Sequence, residues 1–115
     1  MDIIHSKKIN DVTVATFDES ITKFNAMITE ETKIALTDLF AQPGTQVILD
    51  LKGIKYVDSS GFGVFLSAMK TAKNSDGAFK ICHINPDVYE LFKLLQLHNI
   101  FELCNTLEEC LNSPH

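Results

Sequence analysis

Residues 47–64 read VILDLKGIKYVDSSGFGV, and this stretch carries the strongest structural signals of the chain. Its first five residues are almost continuously apolar, which predicts a central strand that is buried on both faces. A connecting loop over residues 53–57 follows, and the DSSG sequence at 58–61 opens a helix that runs to about Asn74. The middle of the chain is therefore expected to form one strand, loop and helix unit.

The N-terminal side of this unit predicts a hairpin and one helix. Residues 3–9 and 12–17 are expected to form strands, with a turn signal at 10–11 between them. Residues 21–25 are ambiguous between a brief strand and a loop. A helix follows, with Thr29 as its expected N-cap and acidic residues in its first turn. Its apolar positions are at 28, 35, 36, 39 and 40, and Pro43 and Gly44 are expected to end it.

The C-terminal side continues the alternation of strands and helices. Residues 78–82 predict a strand, and Asn85 followed by Pro86 is a helix start whose buried positions are 88, 91, 92 and 95. Residues 100–103 are expected to form a short last strand. Thr106 and Glu109 have the spacing of a capping box and predict a final short helix. This order predicts an α/β fold with a mixed sheet and right-handed crossovers.

Composition limits the class of protein. With 115 residues, 45% of them hydrophobic and 22% charged, the chain predicts one globular domain over residues 1–115. All ten basic residues are lysine and the net charge is -5, so neither nucleic acid nor an anionic membrane surface is an expected partner. No apolar segment resembles a signal peptide or a membrane span, and a cytoplasmic location is expected.

The histidines and cysteines predict neither a cofactor nor a metal. No histidine has metal-ligand spacing to another histidine or a cysteine, and Cys82 and His83, neighbours at a strand end, are expected on opposite faces. All three cysteines are expected to be reduced thiols. The serine-hydrolase and dinucleotide patterns are incomplete around residues 58–63, so we do not expect an enzyme.

The start of the central helix is the one unusual place. Gly61 and Gly63 each cost roughly 1 kcal/mol of helix stability against alanine, so both need a reason. One explanation is a serine N-cap with close packing of the helix on the sheet. The other is an accessible hydroxyl whose phosphorylation would switch the docking of a partner. In that case Phe62, Leu66 and Met69 are expected to be partly exposed beside it.

The stretch from Val47 to Val64, with the hairpin and the Asn85–Pro86 helix start, resembles STAS domains, and more narrowly bacterial anti-sigma factor antagonists. The resemblance implies a mixed sheet of four or five strands with helices packed mainly on one side. It also implies that Ser59, directly after Asp58, is the phosphoacceptor and that Ser60 belongs to the helix start. Asn25 stands where many members carry aspartate, and Thr22 where they carry glycine.

The function implied by this resemblance is partner switching. The unphosphorylated protein would bind an anti-sigma factor serine kinase and release the sigma factor, and a serine phosphatase would reverse phosphorylation of Ser59. Besides Ser59, the expected partner-binding residues are Asn25, Asp58, Ser60, Gly61, Phe62, Gly63, Leu66 and Met69. The alternative is an accessory subunit of a lipid-transport ATPase or of a stress-signalling complex that uses the same face constitutively. Nothing in the sequence specifies an oligomeric state.

Overall fold

A computed structural model describes residues 2–113, so Met1, Pro114 and His115 lie outside the described residues. The strands are β1 (Ile4–Ile9), β2 (Val12–Phe17), β3 (Lys23–Phe24), β4 (Gln46–Asp50), β5 (Tyr56–Val57), β6 (Ala78–Cys82) and β7 (Glu102–Cys104). The helices are α1 (Thr29–Asp38), α2 (Ser59–Asn74), α3 (Pro86–Leu94) and α4 (Leu107–Asn112). No described helix is both long and apolar enough to cross a membrane.

The main sheet has five strands in the order β1-β2-β4-β6-β7. Only the β1–β2 hairpin is antiparallel, and its turn is made by Asn10 and Asp11, which both have positive φ. The pairs β2–β4, β4–β6 and β6–β7 are parallel. Strand β4 is thus central, as its sequence predicts, and the mixed α/β fold is confirmed.

The two faces of the sheet are covered unequally. Helices α1, α2 and α3 pack on one face, where Leu36, Phe65 and Phe92 meet Leu49 of the central strand. The short helix α4 packs on the opposite face. Because side chains alternate along a strand, Ile48 and Leu49 enter these two different clusters.

A second, two-stranded sheet positions the start of α2. Strand β3 pairs in parallel with β5, with Phe24 opposite Val57. The sequence left the β3 segment ambiguous and predicted a loop at β5, because two-residue strands are too short to show a repeating pattern. Phe24 and Val57 are both buried, so this small sheet anchors the loop that leads into α2.

Four local predictions are wrong. Helix α1 ends at Asp38, before the expected stop at Pro43 and Gly44. Thr29 is the first residue of α1, and Ile28 holds the N-cap position without a side-chain hydrogen bond. Leu95 is 49% exposed because α3 ends at Leu94 and the chain turns away. Cys104 and Cys110 form a disulfide instead of remaining reduced, since α4 folds back on β7 and brings their Cα atoms to 5.6 Å. The free cysteine is Cys82, which is buried.

Candidate functional site

Asp58 organises the start of α2. One carboxylate oxygen accepts hydrogen bonds from the Ser60 hydroxyl at 2.5 Å and from the Gly61 amide at 3.1 Å. The other accepts from the Ala26 amide at 3.1 Å. The Asp58 amide donates to the Phe24 carbonyl. This residue is therefore the N-cap of α2 and also joins the helix to the β3–α1 loop.

These hydrogen bonds keep Asp58 ionised. The Ser60 hydroxyl is the strongest influence, and with the Gly61 and Ala26 amides it lowers the pKa of the carboxyl below its usual 3.8. All three donors favour the charged form. The beginning of α2 thus carries a fixed negative charge at neutral pH.

Ser59 is the first residue of α2 and is exposed. Within residues 2–113 its hydroxyl has no hydrogen bond to the protein, whereas the neighbouring Ser60 hydroxyl is bound to Asp58. The expectation of a serine as N-cap is wrong, since a carboxylate outcompetes the hydroxyl for the Gly61 amide. The Ser59 hydroxyl is free to meet an incoming group.

The two glycines of α2 occupy different surroundings, so different reasons explain why glycine is present at each. A Cβ atom on Gly61 would lie 2.7 Å from Cγ1 of Val57 and 3.0 Å from the Phe24 ring, so helix packing on the small sheet requires glycine. A Cβ atom on Gly63 would meet nothing within 4 Å. Packing does not explain this exposed glycine, which lies one turn after Ser59 on the same side of the helix.

Exposed apolar side chains and a shallow groove lie on α2 and on the segments joined to its first turn. Met27 is 91% exposed, Tyr56 48% and Leu66 38%. A cavity of about 200 Å³ lies between α1 and α2, lined by Thr29, Glu30, Lys33, Ser60, Gly63, Val64 and Ser67. The exposure of Met27 was not predicted from the sequence, because a single methionine in a loop leaves no periodic signal.

The predicted site residues divide into exposed and buried groups. Leu66 is exposed and Met69 half-buried, as expected, but Phe62 is only 4% exposed, so its expected exposure is wrong. Its ring packs edge-on against Phe65 and Phe92 in the core. Asn25 is half-buried, and its side chain accepts a hydrogen bond from the Met27 amide, which fixes the loop beside Asp58.

Cys82 and His83 are not on opposite faces as expected. His83 has φ +54, so the backbone leaves the extended conformation and its ring returns to the face of Cys82. Its Nδ1 lies 2.9 Å from Oδ1 of Asp50. Burial, with the nearby Asp50 and Glu108 carboxylates, raises the pKa of the Cys82 thiol to about 12.

Comparisons with known proteins agree with this fold. The family model described as "STAS domain" matches residues 4–110. The chain is 29% identical over 94 residues to the anti-sigma-B factor antagonist of Bacillus subtilis (strain 168), covering 82% of each. It is 33% identical over 57 residues to the anti-sigma F factor antagonist of Paenibacillus polymyxa, and this match spans 50% of the chain and 49% of that relative.

Solved structures share the architecture. An anti-sigma-factor antagonist (STAS) domain protein from Planctomyces limnophilus superposes with a TM-score of 0.87 at 20% identity, covering 94% of both chains. The anti-sigma factor antagonist SpoIIAA in its unphosphorylated form gives 0.75 at 17% identity, covering 95% of this chain and 93% of that one. With the family model matched over nearly its whole length, the chain belongs to the STAS domain family, among relatives that are anti-sigma factor antagonists.

Proposed function

We propose that this protein is an anti-sigma factor antagonist switched by phosphorylation of Ser59. In its unphosphorylated form it binds an anti-sigma factor serine kinase, and the sigma factor is released. The kinase then phosphorylates Ser59 and dissociates, and a serine phosphatase restores the binding form. The protein acts as a substrate and binding module, not as an enzyme.

The single observation that carries this proposal is the state of the Ser59 hydroxyl. It is exposed, has no hydrogen bond to the described protein, and lies at the first position of a helix. A hydroxyl in this position can enter the active site of another protein without unfolding its own domain. The bare backbone at Gly63 leaves room for that approach.

The charge change explains how one modification can release a partner. A phosphoryl group adds about 1.5 to 2 negative charges at neutral pH. The helix N-terminus partly stabilises this charge in the free protein. In a complex, the phosphate would be buried beside the ionised Asp58 and the apolar side chains of Met27 and Leu66. Desolvation and repulsion then favour dissociation without a large change of fold.

Two measurements test the proposal. The protein is incubated with ATP and the anti-sigma factor kinase of the same genome, and the phosphate is located by mass spectrometry. We expect it on Ser59 and not on Ser60. Binding to the kinase is then compared between the wild type, Ser59→Ala and Ser59→Asp. The alanine variant should bind as the wild type does, and the aspartate variant at least tenfold more weakly.

Ser6→Asp is the matched control, because it adds the same charge at an exposed position of the edge strand β1. It should leave kinase binding unchanged. An unmodified Ser59, together with wild-type affinity of Ser59→Asp, would refute the proposal. Co-purification of a transport ATPase subunit in place of a kinase would favour the constitutive accessory-subunit alternative.

A further inference from the structure

Three different metal-binding groups meet on the face of the sheet opposite α1, α2 and α3. Asp50 and Cys82 are the last residues of β4 and β6 and pair directly across the two strands. His83 follows with its left-handed backbone and turns its ring toward Asp50. One ligand atom from each of the three residues lies within 4.8 Å of the other two.

The chemistry of these groups selects a class of metal. A carboxylate oxygen, an imidazole nitrogen and a thiolate sulfur are the ligands of zinc and similar divalent transition metals, while magnesium and calcium prefer oxygen alone. Around tetrahedral zinc, neighbouring ligand atoms lie roughly 3.3–3.8 Å apart, given its bond lengths. The longest separation in the cluster, at most 4.8 Å, would therefore have to shorten by only about an ångström. Nδ1 of His83 and Oδ1 of Asp50, which are 2.9 Å apart, would have to separate slightly.

The surroundings favour a cation and allow it to enter. Asp50 places negative charge near Cys82, with a smaller contribution from the exposed Glu108. The buried Lys80 ammonium, on the same face of β6, is paired with Glu102 and bound to the carbonyls of Cys110 and Ser113. Asp50 and Cys82 are buried, but the His83 side chain is 34% exposed and lines a cavity of about 440 Å³. Lys52 and Lys55 also line this cavity, and because both are exposed, water and salt screen their charge.

A hydrogen bond from outside the cluster already orients the carboxylate. The Lys52 amide donates to Oδ1 of Asp50 at 2.9 Å. Such outer contacts fix the direction of a ligand before the metal arrives. Three protein ligands would leave the fourth tetrahedral position for water or another small donor.

We propose that Asp50, Cys82 and His83 form a binding site for a divalent transition-metal ion of the zinc class. On binding, the metal forms bonds to the Asp50 carboxylate, the Cys82 sulfur and the unprotonated nitrogen of a neutral His83 ring, and the single ring proton then lies on the other nitrogen. The thiol proton is released to solvent, and the Asp50–His83 hydrogen bond breaks. This site does not depend on the switch at Ser59.

Cobalt titration of the metal-free, full-length protein tests the site directly. With the Cys104–Cys110 disulfide intact, Cys82 is the one thiol of the chain, so a thiolate-to-cobalt absorption band reports on it alone. We expect this band, with the intense visible bands of tetrahedral cobalt, to saturate at one equivalent. Zinc should displace the cobalt and abolish the bands.

Variants separate the three ligands from other groups. Cys82→Ser should remove the thiolate band, and His83→Ala should weaken cobalt binding at least tenfold. His98→Ala and the double variant Cys104→Ser/Cys110→Ser are controls and should keep the band. His83 is half-buried at the end of a strand, so its variant is expected to fold even if the buried Cys82→Ser does not. Absence of the band in the wild type, or equal affinity in His83→Ala, would overturn the proposal.

Discussion

Among single residues, Asp58 and the two glycines of α2 have the largest influence on the geometry of the site. Asp58 looks from its sequence like one member of a polar cluster, yet its carboxylate binds groups on both α2 and the β3–α1 loop. Gly61 and Gly63 look equivalent in sequence and are not equivalent in space. One glycine is required by packing, and the other leaves the surface beside Ser59 open.

This difference predicts opposite effects of alanine at the two glycines. Gly63→Ala should stabilise the protein by about 0.5–1 kcal/mol, because alanine is the better helix former and its methyl group meets no neighbour. Gly61→Ala should destabilise it by roughly 1–3 kcal/mol, because the methyl group overlaps Val57 and Phe24. Urea unfolding measures both. Equal effects at the two positions would contradict the packing explanation.

The lowered pKa of Asp58 predicts how its contribution depends on pH. The folded state holds the ionised form more tightly than the unfolded chain does, so the contribution is complete above the ordinary pKa of 3.8. It is lost as the pH falls through the lower pKa of the folded protein. Wild type and Asp58→Asn should therefore differ in unfolding free energy at pH 6, and the difference should shrink as the pH falls below 3.8 and through the lowered pKa.

Asp2→Asn is the control for net charge, since it makes the same change at an exposed position near the N-terminus. It should not reproduce this decrease. A difference between wild type and Asp58→Asn that stays constant down to pH 2 would show that the hydrogen bonds to Asp58 do not favour its ionised form.

At the scale of elements, α4 is the least independent part of the fold. It has six residues, too few for a helix that is stable by itself. Its N-terminus is capped by Thr106. The carbonyl of Cys110 in its last turn and that of Ser113 directly after it accept hydrogen bonds from the buried Lys80 ammonium. The Cys104–Cys110 disulfide adds a covalent link to β7.

Reduction of this disulfide is expected to loosen α4 first. A cross-link with a sequence separation of six contributes about 2 kcal/mol by restricting the unfolded chain. A dithiol reductant should lower the unfolding free energy by that amount and speed hydrogen exchange at the amides of Leu107–Asn112. Exchange in α2 serves as the internal control. Unchanged exchange in α4 after complete reduction would contradict this expectation.

At the scale of the whole molecule, phenylalanine holds the layers together. All eight phenylalanines of the chain are at most 7% exposed, and ring contacts connect them from Phe17 to Phe40. Phe65 is the centre of this network, with rings of Phe24, Phe62, Phe92 and Phe101 between 5.5 and 6.4 Å away. Phe65 lies in α2, and its ring contacts connect this helix to α3, to the β3–β5 sheet and to the residue directly before β7.

Phe65→Ala should cost about 3–5 kcal/mol, because it leaves a cavity among four rings. Phe17→Ala, at the end of the network with one ring neighbour, should cost less and is the matched comparison. Chemical denaturation with circular dichroism measures both. A smaller loss at Phe65 than at Phe17 would show that the ring network is not the common core.

Most helices and strands of the main sheet follow from local sequence patterns. The apolar run at β4 predicted a central strand, and the hairpin, α2, α3 and the final helix α4 with its Thr106 cap are confirmed, because each has a local signal of turn, cap or periodic burial. The Glu109 carboxylate accepts from the Asn105 amide, one residue before the position that a capping box requires. The sequence also identified residues 58–63 as a candidate site. Two glycines, which are poor helix formers, follow polar residues there at the start of a helix.

The contacts between distant groups follow from the packed fold and not from any local pattern. The β3–β5 pair, the bond from Asp58 to the Ala26 amide and the Cys104–Cys110 disulfide join residues that the sequence could not place together. Asp50 and His83 are 33 residues apart and meet through the register of β4 and β6 and one positive φ. Local patterns encode the elements, but contacts between distant residues depend on register and packing, which no single segment encodes.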